Sequence, residues 1–339
     1  MIQLFLEGLL AGSSDNAQWH IGCMIAASAG AVILDRLLGE PRRLHPLVGF
    51  GHLVSWVEKR LNGGEDDQKR VRGSIAWGLL SLPVVLFFSL LLHGVLIWSM
   101  TWFYIFSACL LYITLGMKSL EQHASWVAKP LSEGAIEQAR EKVSWLVSRQ
   151  TKSMDQTDIS KACIESVLEN GNDAVFGALF WFLVAGAPGA ILYRLSNTLD
   201  ACWGYRNEKY RDFGWWSART DDWLNLLPAR ICALCYSLCG NRKNAMTSWR
   251  QINVWRKTDG VGFASPNAGI VMASGAGALE LSLGGNAIYD GKVVRKPPLG
   301  IGRSPETHDI DRSVALLKRA VNLLLVVLIG SFVIVSLYL

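Results

Sequence analysis

From residue 74 to residue 117 the chain carries no Asp, Glu, Lys or Arg, and Pro83, His93 and Gly94 are the breaks in the run. A membrane span needs about 20 residues. The pattern therefore predicts two helices, 75–93 and 95–117, joined by a tight turn near His93 and Gly94. Residues 321–339 form another uncharged span, and residues 19–34, ending just before Asp35, form a shorter first one. No basic residue precedes Arg36, so 19–34 reads as a span rather than a signal peptide, which needs a positively charged start.

Residues 174–193 are apolar enough to cross but are broken by Gly186, Pro188 and Gly189. Two arrangements fit. One is a re-entrant hairpin or bent element packed against protein; the other is a kinked span paired with a second crossing around Leu226 to Gly240. Between the apolar runs the pattern turns soluble and helical. One helix is expected from a Ser132 cap through Val147, and a second from an Asp158 cap to about Asn170, stopped by Gly171.

Composition agrees with this pattern: 51% of the 339 residues are hydrophobic and 18% charged, too apolar for an ordinary soluble enzyme. The fold class is an all-α polytopic membrane protein of four or five membrane helices, organised as one membrane-embedded domain. All 33 Lys and Arg lie within 36–72, 118–161 and 194–319. With positive charge kept inside, the N-terminus is outside and the polar regions 35–73, 118–173 and 194–319 are cytoplasmic, as in a multi-pass protein of the cell inner membrane.

The chemistry gathers where polar groups meet apolar segments, because carboxylates there are costly without a partner. Glu165 and Glu169 lie one helical turn apart, directly before Asn170, Asn172 and Asp173. Arg194, Asn197 and Asp200 share a helical spacing of three, and Arg219, Asp221, Asp222 and Asn225 form a further cluster. Carboxylates with amides suit magnesium, which binds through one or two carboxylates plus substrate phosphates; arginines beside them suit phosphate or carboxylate. The aromatic stretch from Trp203 through Tyr205 to Trp216 fits both an interfacial belt and a wall for a large flat ligand. Ser265-Pro266-Asn267 is a turn opening a small-residue helix, and 283–291 is rich in turn residues. No Walker A loop is present. The seven cysteines do not read as disulfides: Cys232, Cys235 and Cys239 lie on one helical face without a fourth ligand, so no metal is expected there. His20 and His93 read as structural groups.

Taken in order, these blocks resemble the adenosylcobinamide-phosphate synthase (CobD/CbiB) family of cobalamin biosynthesis. The blocks are Leu34-Asp35 through Gly39, Pro41, His45-Pro46 and Gly49; Ile164-Glu165-Ser166 with Glu169-Asn170 and Asp173; Gly186 to Gly189 with Asn197-Thr198-Leu199-Asp200; Ala218-Arg219 with Asp221-Asp222, Asn225 and Pro228-Ala229-Arg230; Ser265-Pro266-Asn267; and Leu283 to Gly291. The resemblance implies a ligase that joins a propionate carboxyl of adenosylcobyric acid to aminopropanol or its O-phosphate with ATP and magnesium. It implies Glu165, Glu169, Asp173, Asp221 and Asp222 at the metal and the amine, and Arg219 on phosphate. Asn172, Asn197, Asn225 and Asn267 would orient substrates, with Arg194, Asp200, Tyr205, Arg230 and Ser265 beside them. His45 with Asp35 would close the site or transfer protons. Expected partners are the corrinoid, the small amine and the lipid bilayer, with no nucleic acid; a homo-oligomer or a complex with other membrane proteins of the pathway stays open. Gln150 stands where the family has an acid and Phe263 where it has a His. A non-catalytic AmpE-like membrane regulator and a corrinoid-binding or transport paralogue are the alternatives.

Overall fold

The computed structural model describes residues 14–40, 46–63, 68–205, 207–258, 265–289 and 292–338. In chain order the helices are α1 (Ser14–Leu38), α2 (Pro46–Leu61), α3 (Lys69–Trp98), α4 (Met100–Thr114), α5 (Met117–Ser132), α6 (Ile136–Val143) and α7 (Gln156–Gly171). A single π-turn, Asn172–Phe176, leads into α8 (Gly177–Trp203), followed by α9 (Trp215–Leu224), α10 (Leu226–Cys239), α11 (Arg242–Thr258) and α12 (Ala268–Leu279). A hairpin of β1 (Leu283–Tyr289) and β2 (Lys292–Leu299) precedes the long last helix α13 (His308–Tyr338).

The fold is the expected helical one, and five helical stretches are long and apolar enough to cross a membrane. At 14 residues, α10 reaches only about 21 Å at 1.5 Å per residue, too short to cross alone. Four local expectations are corrected. The break between the paired helices falls at Ser99, which is extended (φ −161, ψ 122), and not at His93 and Gly94; a lone Gly costs a helix only about 1 kcal/mol, so α3 runs on through it. Ser132 ends α5 instead of opening the next helix, and α6 stops at Val143. Asp155 rather than Asp158 caps α7, its side chain accepting the Asp158 N–H at 2.8 Å. Residues 283–299 form an antiparallel hairpin with a register shift between Gly284 and Gly285, whose φ of 76° and 92° only glycine adopts freely.

Residues 174–193 lie in the π-turn and α8, a helix bent at Gly186 (φ 69, ψ −162) with Pro188 two residues on. A left-handed residue cannot continue the α-helical ladder, so the bend belongs to Gly186, and Pro188 removes a donor beside it.

The chain's contacts divide it into two compact units: residues 1–116, 177–225 and 327–339 in the first, and 117–176 with 226–326 in the second. The first holds α1–α4, α8 and α9. Part of its core is Val54, Val57, Ala76, Leu80, Leu199, Trp203 and Phe213, so Trp203 and Phe213, expected in an interfacial belt or a ligand wall, are core residues. In the second unit α12 is buried along its length. Its small residues let it approach α11 closely: a Cβ on Gly277 would lie 2.8 Å from the Ala245 backbone.

Candidate functional site

Within the first unit, α8 presents Tyr193, Asn197 and Asp200 at i, i+4 and i+7, one face of the helix. Asp221 on α9 and Asn225, the residue that ends it, meet that face. Tyr193 Oη donates to Asn225 Oδ1 at 2.8 Å, Asn225 Nδ2 donates to Asp221 Oδ2 at 3.0 Å, and Asn197 Nδ2 donates to Asp221 Oδ1 at 3.2 Å. Each oxygen of the buried Asp221 carboxylate thus receives an amide N–H. Asp200 lies within electrostatic reach of Asp221 and Asp222, so the three carboxylates form an acidic group at the polar end of a largely apolar helix. Tyr193 can occupy its place because residue 177 is glycine: a Cβ there would lie 2.0 Å from the Tyr193 ring.

Arg219 is two residues from Asp221, about 200° around a helix. It is exposed while Asp221 is buried, and its guanidinium stands 5.7 Å from the Trp215 ring centroid. The structure therefore directs Arg219 away from the acid it adjoins in sequence. Tyr205 is exposed, and its phenol is pushed up, first by partial burial and then by Cys202 and Asp200. Asp35 is buried near the end of α1, where the Gly39 carbonyl accepts Tyr112 Oη at 2.5 Å. Arg194 is half-buried on α8. His45 and Phe263 lie outside the described residues.

Within the second unit the residues fall into three groups. The buried Glu165 is clamped: Oε2 accepts Arg149 Nη2 at 2.8 Å, with only 10% and 5% of the two side chains exposed, and Oε1 accepts the Gly284 backbone N–H at 2.9 Å. Glu165 therefore ties α7 to the start of β1. The π-turn brings Asn172 beside Asp173, Nδ2 to Oδ1 at 2.8 Å, and Glu169 stands half-buried one turn before them. Arg230 on α10 donates to Asn267 Oδ1, while Ser265 Oγ accepts the Asn267 N–H at 3.2 Å, so Arg230, Ser265 and Asn267 are brought together. Gln150 is exposed.

Among the described residues no group of three or more His, Cys, Asp or Glu side chains is arranged to hold a metal. The residues fit magnesium only in its commoner form, one or two carboxylates completed by water and phosphate. Asp221 with Asp222 meets that description better than Glu165, whose charge is already balanced by the buried Arg149. Sequence reasoning missed Tyr193, Gly177 and the clamping role of Arg149. The position of Tyr193 four residues before Asn197 is a signal for the first; nothing local marks the others.

A sequence profile described as CobD/Cbib protein matches residues 28–317. A protein of Chromobacterium violaceum named cobalamin biosynthesis protein CobD is 51% identical over 313 residues, covering 89% of this chain and 96% of the relative. Proteins of the same name from Stutzerimonas stutzeri and Halalkalibacterium halodurans are 47% identical, covering 89% of this chain and 96% of the relative, and 36% identical, covering 92% and 98%. No solved structure matches the chain. With a profile match over most of its length and relatives of this similarity along nearly their whole sequences, the chain belongs to the CobD/CbiB family.

Proposed function

We propose that this chain is a multi-pass inner-membrane enzyme of cobalamin biosynthesis that joins a propionate carboxyl of adenosylcobyric acid to aminopropanol or its O-phosphate. The observation that carries the reading is the buried Asp221 carboxylate, held on both oxygens by Asn197 and Asn225 at the polar end of an apolar helix. Relatives named for cobalamin biosynthesis supply the pathway.

A carboxylate is a poor electrophile and needs activation. The proposed route transfers the γ-phosphoryl group of ATP to the propionate oxygen, releasing ADP. The amine nitrogen then attacks the acyl carbon, the C–N bond forms, inorganic phosphate leaves with the former carboxylate oxygen, and the attacking nitrogen loses one proton to a base, leaving the amide. Magnesium, when bound with ATP, would neutralise the phosphoryl oxygens. Asp221 and Asp222 are the residues that fit it. Asp200, on the same acidic group, suits the proton acceptor by its place beside Asp221 and Asp222. Asn197 and Asn225 keep the Asp221 carboxylate in one orientation, a pre-organisation that lowers the barrier without moving during reaction. In this reading the basic, polar regions face the cytoplasm, where ATP is supplied.

Purified protein in detergent, given corrinoid, amine, ATP and magnesium, should convert the free carboxyl to an amide, read as the mass of the corrinoid product. Asp221→Asn should abolish conversion while leaving corrinoid absorbance changes on binding intact. Binding by the native protein with no ATP-dependent product would assign the chain to a corrinoid-binding role. Neither binding nor turnover would point to a regulator.

A further inference from the structure

Two limbs of α8 meet the end of α9. In a straight helix residues 177 and 193 stand about 24 Å apart and residues 181 and 189 about 12 Å, at 1.5 Å per residue. Here a Cβ on Gly177 would lie 2.0 Å from the Tyr193 ring, and one on Gly189 would lie 2.6 Å from the Trp181 carbonyl oxygen. Both pairs are centred on residue 185, beside the left-handed Gly186, so α8 doubles back there and its limbs run antiparallel. The fold-back brings two distant side chains onto consecutive residues. Trp181 Nε1 on the first limb donates to the Leu224 carbonyl at 2.9 Å, and Tyr193 Oη on the second donates to Asn225 Oδ1 at 2.8 Å. In a continuing helix the Leu224 carbonyl would accept the N–H of residue 228, but residue 228 is proline and has none. The Trp181 indole supplies the donor instead.

We propose that Trp181 is a positioning residue for the Asp221 carboxylate, acting through the peptide plane that joins Leu224 to Asn225. That plane is held at both edges. Its carbonyl accepts the indole N–H, and its N–H, which belongs to Asn225, donates to the Asp221 carbonyl at 2.9 Å. A peptide plane fixed on both sides sets the direction in which the Asn225 side chain leaves the backbone. Asn225 Nδ2 then meets Asp221 Oδ2 at 3.0 Å without having to find it, the kind of pre-organisation that a reacting group needs. Gly189 belongs to the same device: a side chain there would press on the Trp181 carbonyl and draw the indole away from Leu224. The proposal rests on the reading that Asp221 serves amide formation.

The test uses the full chain in detergent, with Trp181→Phe keeping an aromatic ring and removing the N–H. Hydrogen exchange followed by mass spectrometry should quicken on the order of fivefold in the segment from Asp221 to Asn225, the weight of one hydrogen bond, with exchange in α1 unchanged. In amide formation kcat should fall on the order of fivefold while KM for the amine holds, because the carboxylate is misdirected during reaction and substrate binding is left intact. Exchange that quickens across the whole first unit, with kcat of the folded fraction unchanged, would mark a packing role and overturn the proposal. Native exchange at Asn225 would overturn it too, as would a loss carried by KM with kcat held. A native protein that makes no amide, while Trp181→Phe still quickens exchange at Asn225, would refute the ligase reading and uphold the Trp181 tether.

Discussion

Glu165 shows how the structure changes the meaning of a residue that its type and position mark as catalytic. Its two oxygens are occupied by Arg149 and by the Gly284 N–H, and both partners are buried or nearly so. Glu165→Gln keeps the shape and an acceptor for Gly284 but removes the charge that compensates Arg149. Stranding one member of a buried pair costs about 3–5 kcal/mol, and the retained amide hydrogen bonds return part of that, leaving an expected loss of about 2–3 kcal/mol. Arg149→Met in the Gln background should recover most of the loss, because no uncompensated charge remains, so the coupling in the double-mutant cycle is expected to be at least about 3 kcal/mol. The assay is unfolding in mixed micelles followed by helical circular dichroism, with cobinamide formation measured on the folded fraction. A Gln variant as stable as the native protein to within about 0.5 kcal/mol, yet inactive, would refute the clamp and restore Glu165 to the chemistry.

The spanning helices were legible because an uncharged run of 44 residues has no other stable setting. Their ends were not, since an apolar helix passes through His93 and Gly94 at little cost and turns only where the backbone becomes extended at Ser99. The hairpin was hidden by its punctuation: Gly284, Gly285 and Gly291 made 283–291 read as a turn-rich segment, although Asp290-Gly291 is a strong hairpin dipeptide. At the site, Asn197, Asp221 and Asn225 could be found from local spacing because each lies within a turn of another polar group. Arg219 was grouped with Asp221 by adjacency, where helical periodicity sends it to the opposite face. The Arg149–Glu165 and Glu165–Gly284 contacts span 16 and 119 positions, and no local pattern encodes a contact of that kind.

Gly177→Ala would set a Cβ 2.0 Å from the Tyr193 ring; with the ring buried, overpacking should cost about 1–3 kcal/mol, read as lower unfolding stability together with lost turnover. Burial, followed by Cys239, pushes the Cys235 thiol up to about 11. At pH 8 its thiolate fraction is then on the order of 100-fold below that of an ordinary thiol, so alkylation traced by mass spectrometry should be slow and rise as pH climbs toward 11; rapid labelling at pH 8 would refute it. Tyr193→Phe keeps the ring against Gly177 and removes one donor. Without Tyr193 Oη, Asn225 Oδ1 loses the donor that anchors it, and the amide that donates to Asp221 is held less firmly in its plane. The expected result is a fall in kcat/KM of about tenfold, equal to about 1.4 kcal/mol, with little change in unfolding. If Tyr193 acts only by orienting Asn225, the same change made on Asn225→Ala should have almost no further effect. Losses that multiply in the double variant would show that the Tyr193 hydroxyl acts independently of Asn225 and refute the orienting role.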